Sequence, residues 1–535
     1  MTHHPQDTWP AIPPDVYRYE AHFNDRTLRC FKDRAPHTYA LFEHACATHA
    51  DSEALICGNI RLSYAQAAEQ AARIAAHLAR IGIAPGMRVA LLLGNRVEFV
   101  IALLGVLRLG AIAVPLGTRL QKPELDYILN NVGAVALIHE AALAERLPEP
   151  AALPLLKHRF SVAGHTAHSQ PYEALTQGIL PIAPHVPNEE DTAVILYTSG
   201  TTGHPKGAML THLNIVHSTQ HFQRCMQLTA TDRSLLAVPG SHVTGLIAII
   251  MTMWQVGGAT VIVPEFKARE FAPLAGAERI THTILVPAMY NLCLMQPDFT
   301  DHDLSHWRIG GYGGAPMPQA TIDALAQSLP GLELMNAYGA TETCSPTTLM
   351  PARFSRSHSD SVGLPVPCGD ILVMDSAGRQ VAVGETGEIW ISGPMVVKGY
   401  WENAEATRAS FTAGFWHSGD VGSIDSDGFV RIFDRLKDMI NRGGYKVFSV
   451  EVENVLMAHP DIAEAAVVGE PCPVLGERVK AIVMPRNPGL TGDEIRAFCS
   501  ARLSDYKVPE KVVLLDRPLP RNANGKILKR ELRSA

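Results

Sequence analysis

The sequence predicts an α/β protein: a large N-terminal domain of parallel-sheet βαβ subdomains plus a short-stranded β subdomain, then a small α+β C-terminal domain. Three observations predict it. Short, unbroken apolar runs alternate with segments of helical period, the pattern of βαβ units. From about Val362 the texture changes to alternating segments broken by Gly and Asp turns. After Asp434 comes a unit of about 100 residues, long enough for a core of its own. At 535 residues the chain exceeds one ordinary core, so the expected division is residues 1–434 and 435–535.

Taken in order, apolar residues recur at helical spacing from Tyr64 to Ile81 and stop at Gly82. RVALLLG (88–94) reads as a buried strand, EFVIALLGVLRLG (98–110) as a helix and AIAVPL (111–116) as a strand. A helix is expected around 122–131 and a strand at AVALI (134–138). Residues 145–187 are proline-rich and weakly periodic, which predicts a surface connection. Strands resume at AVILY (193–197), ATVIV (259–263) and HTILV (282–286). The last unit reads as a helix from Ser449, strands at 463–469 and 479–484, a helix over 491–504 and a strand at 511–515.

Composition excludes several classes. A net charge of −7 does not suit a nucleic-acid binder. Nine scattered cysteines without C-x-x-C spacing argue against a disulfide framework or zinc ribbon and for a reducing, cytoplasmic setting. The start, MTHHPQDTWP, lacks a basic region leading into an apolar one, so no secretory signal is expected. Residues 99–116 contain Arg108, two glycines and a proline, and 246–256 is far short of the roughly 20 residues of a membrane span.

Five strings carry chemistry. YTSGTTGHPKG (197–207) follows a buried strand, where open α/β sheets bind ligands. Its glycines, Gly200 and Gly203 among them, let backbone N–H groups approach phosphate oxygens; Thr198, Ser199, Thr201 and Thr202 add hydroxyls and Lys206 a charge. It is not a Walker loop, because Lys206 follows Pro205 and no hydroxyl follows the lysine. In NAYGATET (336–343), Glu342 offers an oxygen ligand for Mg²⁺ and Tyr338 a flat face for a base, next to Asn336, Gly339 and Thr341. WHSGD (416–420) reads as a tight turn presenting Asp420 to a ribose diol. DRLKDMINRGGYK (434–446) is a charged, hinge-like run ending in a double glycine. PRNANGK (520–526) presents Lys526 in a segment, 501–535, with nine Lys/Arg against four Asp/Glu.

In this order the strings closely resemble the adenylate-forming (ANL) superfamily of acyl-CoA synthetases, firefly luciferase and peptide-synthetase adenylation domains, from SYAQ at 63 to KREL at 532. The resemblance implies that ATP activates a carboxylic acid to acyl-AMP with loss of pyrophosphate, and that a thiol then displaces AMP. It implies that residues 198–206 hold the β- and γ-phosphates, Glu342 holds Mg²⁺, Tyr338 stacks on adenine with Asn336 on its amine, and Asp420 binds the ribose with Arg435 assisting. Lys526 is implied to bridge the carboxylate and the α-phosphate, with Thr198, Lys206 and Glu342 completing the catalytic set. The family's C-terminal domain is mobile, which makes Lys437 its hinge and sets Gly443 and Gly444 against the pantetheine of coenzyme A. Asn524 departs from the family, where a small hydroxyl residue is usual.

The implied acyl pocket is His242, Val243, Thr244, Tyr312, Gly313, Gly314, Ala337, Thr343 and Cys344. These are small or uncharged, so a medium- or long-chain fatty acid is expected, with an aryl acid close behind. No G-G-x-S carrier motif follows Lys526, so CoA is the expected acceptor and a carrier protein in trans the second. A luciferase-like oxygenase shares the strings, whereas a Walker ATPase lacks its motif and a non-catalytic sensor would not need Glu342 and Lys526. PRNANGK also resembles the family segment acetylated in some bacterial members, which implies a lysine acetyltransferase acting on Lys526. The sequence is compatible with a homodimer.

Overall fold

The computed structural model describes residues 9, 13–178, 181–198, 204–521 and 527–533. It divides into two compact units: Met1–Ile371 with Ile391–Trp416 and Asp427–Phe429, and Leu372–Trp390 with His417–Ser426 and Val430–Ala535.

Two sheets organise the first unit. A seven-stranded sheet runs in the order Lys206–Thr211, Thr192–Thr198, Ile112–Pro115, Arg88–Leu92, Ala136–Glu140, His158–Val162 and Gln170–Pro171. Its neighbours are parallel, except that Lys206–Thr211 returns antiparallel to Thr192–Thr198. The expected strands at 88–94, 111–116, 134–138 and 193–197 all lie here. His158–Val162 was not expected: it sits inside the stretch read as a surface connection, and four of its five residues are buried. Its sequence, HRFSV, mixes polar and apolar residues because Arg159 and Ser161 are buried as well, so no apolar run marks it.

The nine-stranded sheet has a parallel centre in the order Glu333–Tyr338, Ile309–Tyr312, His282–Leu285, Arg233–Leu236, Ala259–Ile262 and Glu53–Cys57. The helices Tyr64–Arg80 and Val97–Leu109 pack on each other between the sheets. A Ser63–Gln66 capping box starts the first helix. Gly105 permits the close crossing, since a Cβ there would stand 2.6 Å from Ile74. The second helix is buried almost all round, which explains its unbroken apolar sequence. Among the described residues no helix is long and apolar enough to cross a membrane.

In the second unit, Ile462–Cys472 and Gly476–Pro485 pair antiparallel, and Lys511–Leu514 adds in parallel. Ser449–Met457 packs on them around a core of Val452, Leu456, Val467, Val479 and Val483. The helix expected over 491–504 is shorter: Thr491 caps it in a box with Glu494, and it ends at Ser500. Two strands were missed, Ile440–Arg442 and Tyr445–Val447, which form a hairpin whose two-residue turn is Gly443–Gly444. Both glycines have positive φ, 60° and 91°, as a type I′ turn requires.

Candidate active site

The parallel strands of the nine-stranded sheet deliver several candidate residues to one carboxyl edge, where such sheets bind ligands. Ile309–Tyr312 and Glu333–Tyr338 are in register with Tyr312 opposite Asn336, so Gly313 and Gly314 emerge beside Ala337, Tyr338 and Gly339. Tyr312 is buried, and that burial pushes its phenol up to about 12. Gly313 has a structural reason to be glycine, because a Cβ would stand 2.4 Å from the Ala337 carbonyl oxygen. Gly313→Ala should therefore lower stability by about 1–3 kcal/mol, read by thermal denaturation. If the glycine served only to leave pocket space, the variant would melt like the parent and merely accept smaller acids.

His242, Val243 and Thr244 follow the strand Arg233–Leu236 of the same sheet and lead into the π-helical segment Thr244–Met251. Burial holds the His242 imidazole below its ordinary pKa. Cys344 is buried, and that burial pushes its thiol up to about 12. The Thr343 hydroxyl accepts from the Ala340 N–H at 2.9 Å and donates to the Ala340 carbonyl at 3.1 Å, so it stabilises the turn that carries Glu342.

Glu342 sits in the short 3₁₀ turn Thr341–Thr343, with Thr341 half-buried before it. Its carboxylate is buried, and Oε1 accepts from the Tyr400 O–H at 2.9 Å. Its backbone carbonyl accepts from the Val397 N–H at 2.9 Å. Burial, then the Glu342 charge, hold the Tyr400 phenol well above its ordinary pKa. The face of the Tyr400 ring carries the Lys206 ammonium at 5.0 Å. Tyr400 was missed in the sequence: it lies 58 residues from Glu342, outside all five strings. A hard carboxylate oxygen in a buried, hydrogen-bonded setting fits Mg²⁺.

Lys206 and Thr198 face each other at the ends of two antiparallel strands, and the Thr198 hydroxyl donates to the Lys206 carbonyl at 3.4 Å. The phosphate-loop string thus returns as a strand, unlike a Walker loop, which opens a helix. His204 stacks on Tyr127 with centroids 4.5 Å apart. Ser199, Gly200, Thr201, Thr202 and Gly203 lie outside the described residues, as do Asn524 and Lys526.

In the second unit Asp420 does not sit in a tight turn; HSGD lies within the strand Phe415–Ile424, with only Gly419 at positive φ, 68°. Asp420 pairs in register with Arg435 of Val430–Arg435, and Arg435 Nε stands 3.1 Å from its Oδ1. The Ser418 hydroxyl accepts from the Asp420 N–H and donates to the Ile389 carbonyl at 2.6 Å, which fixes the backbone at Asp420. Lys437 follows in a turn where the Asp438 and Met439 N–H groups donate to the Arg435 carbonyl. Its side chain reaches solvent, yet partial loss of water and then the Arg435 and Arg533 charges lower its pKa.

Glu20, His22 and Cys30 also bring ligand atoms within 4.8 Å of one another. Arg34 already spans both Glu20 oxygens at 2.8 and 2.6 Å and, with Arg18, holds that carboxyl at about 2. We assign no metal there.

The AMP-binding enzyme model matches residues 42–401, and the AMP-binding enzyme C-terminal domain model matches 451–526. The chain is 35% identical to a long-chain-fatty-acid–CoA ligase, FadD13, of Mycobacterium tuberculosis over 89% of this chain and 93% of that protein. It is 37% identical to a feruloyl-CoA synthase of an Amycolatopsis species over 89% of this chain and 94% of the relative. Among solved structures it resembles o-succinylbenzoate CoA synthetase (MenE) of Bacillus subtilis in complex with ATP and magnesium ion, with a TM-score of 0.82, 29% identity, and 92% and 99% of the two chains covered. The chain belongs to the adenylate-forming superfamily of AMP-binding enzymes, and within it to the AMP-forming acyl-CoA ligases.

Proposed function

We propose that the enzyme uses MgATP to convert a carboxylic acid with an uncharged tail to its acyl-adenylate, then transfers the acyl group to the thiol of coenzyme A. The observation that carries this reading is the joint placement of Glu342 and Lys206 on Tyr400, a carboxylate for the metal beside an ammonium for phosphate. Bound Mg²⁺ would neutralise phosphate charge and make pyrophosphate a better leaving group. Two anions must meet in the first step, so this chain contributes mostly charge and positioning.

In this reading the loop over 198–206, with Lys206 at its end, binds the β- and γ-phosphates. Tyr338 and Asn336 hold adenine, flanked by Gly339 and Thr341, while Asp420 accepts from both ribose hydroxyls and Arg435 keeps Asp420 in place. Lys526 meets the charge developing between carboxylate and α-phosphate. Residues 435–535 move about Lys437 between half-reactions, bringing Gly443 and Gly444 to the pantetheine arm. These glycines are required by the turn in any case, and the bare backbone they leave suits close approach.

For the acid, a medium- or long-chain fatty acid is our first reading. His242 with its pKa lowered, and Tyr312 and Cys344 each pushed up to about 12, are all uncharged near neutral pH, which supports an uncharged tail. The similarity to a feruloyl-CoA synthase favours an aryl acid as the second. Incubation with MgATP, CoA and a panel of fatty, aryl and alicyclic acids, read by mass spectrometry, tests both. The expected products are one class of acyl-CoA together with AMP. Acyl-AMP without thioester would replace CoA by a carrier protein, and the absence of any adduct across the panel would contradict the proposal.

A further inference from the structure

We propose that Tyr400 is the positioning residue that sets Glu342 and Lys206 against one another, and that Arg26, far away in sequence, holds Tyr400 in place. The proposal rests on the reading of Glu342 as the Mg²⁺ ligand and Lys206 as a phosphate ligand.

Glu342 and Lys206 have flexible side chains of opposite charge, and both meet one rigid ring. The Tyr400 hydroxyl donates to Glu342 Oε1 at 2.9 Å, and the ring face lies 5.0 Å from Lys206 Nζ. A phenol donor favours the ionised carboxylate that a metal needs, and the ring restrains the ammonium without neutralising it. Removing the hydroxyl and removing the ring are therefore separable operations.

The segment that presents Tyr400 is not part of a regular sheet. It makes an isolated bridge, Ala208 with Tyr400, and is otherwise pinned piece by piece. The Trp401 N–H donates to the Gly207 carbonyl at 2.7 Å and the Met209 N–H to the Gly399 carbonyl at 3.1 Å. Asn214 Nδ2 donates to the Pro394 and Val396 carbonyls at 2.7 and 3.1 Å.

Arg26 completes the fastening. Its guanidinium donates to the carbonyls of Val396, Val397 and Lys398 at 3.2, 3.0 and 3.4 Å, and lies over the rings of Phe23 and Phe411 at 5.1 and 5.5 Å. It is 7% exposed, whereas the nearby carboxylate of Asp25 is 70% exposed and 3.7 Å away. A buried arginine directed at three successive carbonyls acts as a clamp on that segment rather than as half of a strong ion pair. The clamp leads directly to the site, because the N–H of the clamped Val397 donates to the Glu342 carbonyl.

The test is calorimetric titration of ATP, with and without MgCl₂, into enzyme lacking acid and CoA, so that no turnover is needed. Tyr400→Phe should weaken binding about tenfold when Mg²⁺ is present and leave metal-free ATP binding unchanged, the loss of one hydrogen bond to a charged group. Tyr400→Leu should weaken both. Arg26→Met should reproduce the Mg²⁺-dependent loss, and Arg26→Lys should restore part of it; melting curves identify any variant that fails to fold. Glu342→Gln is the reference. If it keeps the full Mg²⁺ effect, the metal reading fails and the proposal with it. If it loses that effect while Tyr400→Phe does not, the metal reading stands and the role of Tyr400 is overturned. Folded Arg26→Met with parental MgATP binding overturns the role of Arg26.

Discussion

Replacing Lys526 by alanine is expected to slow adenylation about 10²–10³-fold, the loss that follows removal of a preorganised charge at developing negative charge. Thioester formation from preformed acyl-AMP is expected to change little, because the bond to phosphorus has already been made. The contrast between half-reactions is the informative part. Equal losses in both would mean that Lys526 serves stability or both conformations, not the first chemical step. Acetylation of the same lysine should reproduce the alanine phenotype, since it too removes the charge. An acetylated enzyme with full adenylation activity would rule out this charge-based role.

The second large effect is expected at Asp420. Its carboxylate is buried and paired with Arg435 at 3.1 Å, which suits the proposed role of accepting from the ribose diol. Losing two hydrogen bonds to a charged group should raise the KM for ATP about 10²-fold or more in Asp420→Ala. A merely structural loss could mimic that rise, so the comparison with 2′-deoxy-ATP decides. The parent enzyme should prefer ATP, and the variant should lose most of that preference. Unchanged discrimination in the variant would place the ribose elsewhere.

How far these features were legible in the sequence depended on the burial of each element. Strands such as Arg88–Leu92 and Thr192–Thr198 are buried along most of their length, so they appear as apolar runs with clear punctuation. His158–Val162 is buried too, but with Arg159 and Ser161 among its residues, and a proline-rich neighbourhood concealed it. The hairpin around Gly443 and Gly444 carried a strong turn signal, yet its strands have three residues each, too short for alternation to show.

The site was legible where chemistry is local. Asp420 and Arg435 stood in separate strings, and only strand register brings them together. Tyr400 and Arg26 had no local mark, because their roles consist of contacts with residues far along the chain. The HSGD string shows the opposite error, since a Ser-Gly-Asp sequence suggests a turn but here continues a strand through a left-handed glycine.

Activation through the α-phosphate can be read from the preferred acid labelled with ¹⁸O in both carboxyl oxygens, incubated with MgATP and CoA. A carboxylate oxygen that attacks phosphorus stays on AMP when the thiol takes the acyl carbon. The expected result is AMP carrying one ¹⁸O for each thioester formed, with unlabelled pyrophosphate. Unlabelled AMP, or ADP with label in inorganic phosphate, would contradict it.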